Sequence, residues 1–430
     1  MEIFQHILVS IRRGGGISVL ATENIFARYI EQEDIFNDKK ALSSSFIPQK
    51  ISHRDAELQQ IGSILAPVLK GYYPNNIFVY GTCGTGKTIC TKFLIAHLQE
   101  IVKQSGKSLR SVYINCKMKK VADTEYRLFA QLLKEMGECV PDTGLPTDVL
   151  YRRFFERVDS KQSTFIIILD EIDALVKKVG DDFLYNLTRI NQELKKSHIT
   201  IIGITNDLSF RDNLDLRVKS SLSEEEILFK PYNAVQLRDI LMERATEGFR
   251  PGVVSDSVLS KCAALAAQEH GDARRALDLL RVAGELAERA GEAPITEKHI
   301  DLAQQKLDLD RVTETIRGQP SQSQAVLYSI IKCQEKAEMK IDRREVHGWT
   351  DKRLLTGDVF DGYLAVCKVN GLKSLTQRRV SDLIGELDML GIITAKVISK
   401  GRYGRTRDIS LAVKDDLLVK IKTLLQERFG

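Results

Sequence analysis

Hydrophobic positions along the chain follow two patterns. Short runs rich in β-branched residues alternate with helical stretches as far as Tyr232: Ile77–Tyr80, Ser111–Asn115, Phe165–Asp170, Ile199–Thr205 and Glu226–Phe229. The runs FIIILD and ITIIGIT lack polar alternation, so they read as strands covered on both faces and predict a parallel α/β sheet. After Tyr232 the strand signals stop. Ala234–Glu247, Ser255–His270, Asp272–Gly291 and Thr296–Asp310 carry helical periodicity, which predicts a smaller all-α domain. Ser255 and Thr296 are N-cap candidates for two of these helices.

The segment RGQPSQSQ, Arg317 to Gln324, is polar, contains a proline and breaks the periodicity, so it reads as a linker. Helices follow from about Ala325, across Val359–Val369 and across Thr376–Leu390. IITAKVIS, a glycine-rich turn and TRDISLAV then make a hairpin, closed by a helix over Asp415–Phe429. Three helices with a hairpin is the pattern of a winged helix-turn-helix module. The connection from His347 to Asp358 has no assignment, and no internal repeat is visible.

A length of 430 residues allows two or three domains. The seven cysteines form no CxxC pair, which argues against a zinc site and a disulfide framework and fits a reducing cytosol. No apolar run approaches a membrane span. In the opening MEIFQHILVSIRRGGG the charges follow the apolar patch and no small-residue cleavage site is evident, so it does not read as a signal peptide. Net charge is +5. From Gln319 onward 20 Lys and Arg face 14 Asp and Glu, a surplus of 6, which leaves the first 318 residues at −1. The positive charge gathers in the C-terminal quarter, where a polyanion would bind.

Candidate chemistry begins at Gly81-Thr82-Cys83-Gly84-Thr85-Gly86-Lys87-Thr88, a P-loop pattern with an apolar strand before it and a helical segment after it. Its glycines let backbone N–H groups turn around phosphate oxygens, and the helix N-terminus adds its positive end. Lys87 would reach the outer phosphates and Thr88 would offer a hydroxyl to Mg²⁺. Asp170 and Glu171 end a buried strand, where α/β sheets place their ligands. Asp170 would join the Mg²⁺ shell and Glu171 would polarise an attacking water. Asn206, ending the next strand, would bind that water or the γ-phosphate.

These residues resemble the AAA+ ATPases, with Asn206 at the sensor-1 position. The resemblance implies that the ITIIGIT strand lies between the P-loop strand and FIIILD. LDLRVKSSL resembles the arginine-finger box, with Arg217 as the finger and Leu216 where proline is common. GDARRALD resembles the sensor-2 helix, with Arg274 toward the γ-phosphate. FIPQKISHRD is similar to the N-terminal box of archaeal replication initiators of the origin-recognition-complex and cell-division-control type, which implies that the segment before His53-Arg54 lines the adenine pocket and that His53 and Arg54 bind the nucleotide. Tyr232 and Arg244 resemble hinge and lid positions that contact the nucleotide.

The same resemblance implies that an insertion, the helix Thr124–Met136 followed by VPDTGLPTDVLYRRF, presses on duplex DNA. Leu145 and Pro146 would act as an apolar wedge, with Arg152 and Arg153 near phosphates. In the last domain Thr376 caps a recognition helix that presents Gln377, Arg378 and Arg379 in its first turn. SKGRYGRTRDI resembles the initiators' wing, with Lys400, Arg402, Tyr403, Arg405 and Arg407 as DNA contacts.

The implied organisation is an arm over 1–45, an AAA+ α/β domain over 46–232, a helical lid over 233–316 and a winged-helix DNA-binding domain over 317–430. The implied function is that of a replication initiator in the cytoplasm, at the nucleoid. It would bind double-stranded origin DNA under ATP/ADP and Mg²⁺ control, hydrolyse ATP slowly, and recruit the MCM-type replicative helicase with paralogous initiator subunits. Two alternatives stay open on the sequence: an ATP-regulated transcription factor with no helicase-loading role, and a catalytic AAA+ motor, which would leave the winged helix without a task.

Overall fold

A computed structural model describes residues 34–118, 122–141, 144–222, 224–342, 354–399, 405–413 and 415–430. The chain divides after Ala303 into two compact units. The first begins with α1 (Asp55–Leu65) and the short α2 (Pro67–Lys70). Strands and helices then alternate: β1 (Asn76–Gly81), α3 (Lys87–Gln104), β2 (Leu109–Asn115), α4 (Glu125–Glu135), α5 (Thr147–Val158) and β3 (Ser163–Asp170). They continue with α6 (Ile172–Val179), α7 (Asp182–Arg189), β4 (Ser197–Thr205), α8 (Leu216–Leu222) and β5 (Glu224–Phe229). The five strands are parallel in the order β2-β3-β4-β1-β5, so β4 lies between the P-loop strand and β3 as the resemblance implied.

All eight residues of β3 are buried, which explains its unbroken apolar run. Successive side chains alternate between two cores. Phe165, Ile167 and Leu169 join Phe78 and Ile201 on one face, whereas Ile166 and Ile168 join Ile77, Val79 and Ile202 on the other. The insertion helices belong to the first core through Leu128, Phe129, Leu150 and Phe154. β5 pairs with β1 alone and carries Glu224, Glu225 and Glu226, charges that suit an edge strand.

Four helices follow the sheet: α9 (Ala234–Gly248), α10 (Asp256–Gln268), α11 (Ala273–Ala290) and α12 (Glu297–Gly318), with the division between units inside α12. Asn233 and Gln236 form a reciprocal capping box at the start of α9. The described part of the N-terminal arm is packed: Phe36 stacks on Phe249 at 4.8 Å, and the Asn37 N–H donates to the Gly248 carbonyl.

The second unit continues through α13 (Ser321–Asp342), β6 (Leu354–Leu355), α14 (Thr356–Val369), α15 (Gln377–Met389), β7 (Ile393–Ser399), β8 (Arg405–Leu411) and α16 (Asp415–Phe429). Its antiparallel sheet has the order β6-β8-β7, and its core gathers Ile330, Tyr363, Ile384, Leu387 and Leu425. The segment expected as a linker is a tight helix–helix junction. Buried Gln324 donates to the carbonyls of Ile316, Gln319 and Arg317, so its polarity caps the end of α12. Among the described residues no helix is long and apolar enough to cross a membrane.

Candidate functional site

A cavity of about 360 Å³ opens at the C-terminal ends of the strands. Gly84 to Thr88 line it together with Asp170, Glu171, Asn206, Arg244 and Arg274. Residues Ser44 to Ser52 contribute to its rim. Gly84 (φ 69°) and Gly86 (φ 92°) adopt the left-handed region, and a Cβ on Gly84 would stand 1.7 Å from Asp272 Oδ1. Asp272 is the N-cap of α11, accepting from the Arg274 and Arg275 N–H groups, and the Ala273 N–H donates to the Gly84 carbonyl. The P-loop thus lies directly against the helix that carries Arg274.

Lys87 is the first residue of α3 and is buried. Its Nζ donates to the carbonyls of Gly81 and Thr82, both at 2.7 Å, and to Asn206 Oδ1 at 2.8 Å. Burial brings its pKa down to about 8. Thr88 Oγ1 donates to Asp170 Oδ2 at 2.8 Å, and the Tyr113 hydroxyl donates to the same oxygen at 2.7 Å. Glu171 takes the left-handed conformation (φ 56°), uncommon for a residue with a side chain. Its Oε2 is buried without a hydrogen-bond partner, and its Oε1 lies 3.8 Å from Lys117 Nζ. A buried carboxylate oxygen without a partner is uncommon, and this one stands beside the cavity.

The other expected residues divide between the cavity lining and its surroundings. Arg54, 3% exposed, is not among the cavity-lining residues. It donates to the Thr85 and Lys230 carbonyls at 3.1 and 2.6 Å, pairs with Glu57, and stacks 4.0 Å over the Tyr232 ring. It braces the P-loop from behind. His53 pairs with Asp239 at 3.0 Å and also does not line the cavity. Tyr232 lines it, but one ring face is taken by Arg54. Arg244 donates to the carbonyls of Ala41 and Phe46 and lies over the Phe46 ring, fastening the N-terminal segment to α9. Exposed Arg274 comes within 3.8 Å of the Cys83 sulfur. Arg217 is also exposed, bonded to Asp215 on its own loop, and not among the residues lining this chain's cavity.

Not expected from the sequence are Tyr113, whose hydroxyl donates to Asp170, and the close approach of Asp272 to Gly84. The signal for Tyr113 was its place on the strand paired with β3, two residues before Asn115, the register partner of Asp170. Asp272 was quoted within GDARRALD, but its contact with Gly84 is a tertiary fact.

In the insertion, Leu145 packs partly buried against the first core, which leaves Pro146 as the exposed apolar residue at the start of α5. Leu145 keeps part of its surface exposed beside Pro146. Arg152 and Arg153 are exposed on α5.

In the second unit Thr376 Oγ1 accepts from the Arg379 N–H, capping α15, and Gln377, Arg378 and Arg379 are exposed in its first turn. Arg379 lies 3.6 Å from Glu386 and 3.8 Å from Asp382. Gln377, Arg378 and Arg407 share a surface groove of about 490 Å³ with Thr356 and Thr406. Arg407 Nη1 donates to the Ser381 carbonyl at 2.8 Å, and its N–H donates to Thr356 Oγ1. A Cβ on Gly385 would stand 3.1 Å from that guanidinium. Arg407 therefore fixes β8 to α15. Lys400, Arg402 and Tyr403 lie outside the described residues; Arg405 opens β8.

Comparison with known proteins agrees with this architecture. Residues 70–211 match an AAA domain, 238–305 the Cdc6 AAA+ ATPase-type lid domain, and 314–421 the CDC6 C-terminal winged helix domain. The ORC1-type DNA replication protein of Thermococcus onnurineus is 49% identical over 395 residues, 91% of each chain. ORC1-type DNA replication protein 1 of Sulfurisphaera tokodaii is also 49% identical, over 91% of this chain and 94% of that one. The solved structure of the Aeropyrum pernix ORC1 protein in complex with DNA has a TM-score of 0.77 at 41% identity, covering 93% of this chain and 98% of that one. The chain belongs to the family of ORC1-type DNA replication proteins.

Proposed function

We propose that this protein is a DNA replication initiator that binds duplex origin DNA under the control of bound ATP or ADP. The observation that carries the nucleotide half is the joint placement of Lys87, Thr88, Asp170 and Asn206 around one cavity. The residues fit a nucleoside triphosphate with Mg²⁺: a glycine cradle at a helix N-terminus, a buried lysine, a hydroxyl–carboxylate pair and an unpartnered Glu171 oxygen. Thr88 and Asp170 would hold the metal, which would supply positive charge to offset that of the phosphates.

The chain's own groups then have distinct tasks. Lys87 exchanges its carbonyl and amide acceptors for phosphate oxygens. Asn206, released from Lys87, orients toward the phosphate or the attacking water. Glu171 accepts the proton of that water. Arg274, carried on the helix wedged against Gly84, reports the phosphate to the lid. The exposed Arg217 acts on a neighbouring subunit, so an isolated chain hydrolyses slowly.

The DNA half is supported by the cationic first turn of α15 and by the likeness to an ORC1 protein whose structure was solved with DNA. Helix α15 would enter the major groove while the wing follows the adjacent backbone. Recruitment of an MCM-type helicase, assembly with paralogous initiators and residence at the nucleoid complete the reading. The test is salt-controlled binding to duplex DNA. Arg378→Ala and Arg405→Ala should each weaken binding and leave nucleotide affinity intact; no loss with Arg405→Ala rejects the wing assignment.

A further inference from the structure

We propose that Tyr113 is a positioning residue for divalent-cation binding, a reading that rests on the nucleotide site argued above. In β2, Val112 and Ile114 face one core, so Tyr113 projects to the opposite face, toward α3. Strand residues advance about 3.3 Å each. The long axis of a phenol covers roughly two such steps, which brings the Tyr113 hydroxyl level with the end of β3. There it donates to Asp170 Oδ2 at 2.7 Å, the oxygen that also accepts from Thr88. Lys92 from α3 lies 3.5 Å over the ring and holds it from the other side. Both Tyr113 and Asp170 line the cavity.

Two donors of fixed direction on one oxygen leave the carboxylate little rotational freedom. When Thr88 turns its hydroxyl oxygen toward a cation, the Tyr113 bond is the one that keeps Asp170 in place. A group that orients a carboxylate in this way typically carries about 10- to 100-fold in metal affinity. The hydroxyl's hydrogen bond goes to Asp170 Oδ2, so its effect should fall on the metal.

The experiment measures binding of a fluorescent, non-hydrolysable ATP analogue to the full chain, in EDTA and across a Mg²⁺ titration. Tyr113→Phe should leave the EDTA affinity within about twofold of wild type and raise the half-saturating Mg²⁺ concentration about tenfold or more. An unchanged Mg²⁺ dependence overturns the inference. So does an equal loss with and without Mg²⁺, which would mean the hydroxyl serves general structure. If wild type binds the analogue in neither condition, the nucleotide reading itself falls, and this inference falls with it.

Discussion

Lys87 and Asn206, 119 residues apart, are joined by a 2.8 Å hydrogen bond from Nζ to Oδ1. The bond ties the P-loop on β1 to the end of the neighbouring strand β4 and keeps the ammonium paired inside the cavity. Phosphate oxygens would compete with these three acceptors for the ammonium protons, so removal of the ammonium removes the main attraction. Lys87→Ala should abolish measurable ATP and ADP binding in a fluorescence titration. Asn206→Ala should keep binding within about tenfold and lower hydrolysis instead. Equal binding loss in both variants would contradict these separate tasks.

The buried position of Lys87 makes the site pH-sensitive. Its pKa is brought down to about 8, so its charge is lost as pH rises through 8. Phosphate favours the charged form, so nucleotide affinity should fall as pH rises through 8, with proton uptake on binding greatest above pH 8, between the free and the raised bound pKa. For stability the sign is opposite. Above the folded-state pKa the unfolded chain binds more protons than the folded one, so this group's contribution grows with pH over that window. Calorimetry in buffers of different ionisation enthalpy reads the proton uptake directly.

Gly84 meets Asp272 too closely for any side chain. Gly84→Ala should separate the P-loop from the start of α11 and strain a left-handed backbone, costing about 1–3 kcal/mol. A lowered melting temperature with loss of nucleotide binding is expected. Removing the Asp272 carboxylate in the double variant should recover part of the stability lost in Gly84→Ala, because the left-handed strain and the 2.9 Å approach to the Asp272 Cα remain.

Arg378 and Arg407 neighbour one groove but differ in attachment. Arg378→Ala should weaken duplex binding and reduce the salt slope by about 1, the effect of one lost phosphate contact. Arg407→Ala should weaken binding with little change in slope and lower the melting temperature, because its guanidinium is bonded to the Ser381 carbonyl. A reduced slope with unchanged stability for Arg407→Ala would restore it as a plain phosphate contact.

Much of this was legible in the sequence because it is local. The runs at Phe165 and Ile199 alternate between two cores and so had to be interior strands, and the P-loop spacing fixes where Lys87 and Thr88 stand. What escaped was long-range. Arg54, expected among the nucleotide-binding residues, bonds backbone carbonyls at two distant points, Thr85 and Lys230. Arg244 likewise bonds the N-terminal segment. Gln324 looked like linker chemistry because a polar helix cap and a solvated linker use the same residue types. The two-residue β6 is too short to leave a pattern.

The central claim is that nucleotide state governs recognition of origin duplex. Its most direct test is salt-controlled footprinting on duplex from the host's own origin and on an unrelated duplex, with ATP, with ADP and with neither. The account predicts protection confined to the origin duplex, with an extent or affinity that changes with the nucleotide and is lost in that response by Lys87→Ala. Equal protection of both duplexes, indifferent to nucleotide, would contradict it.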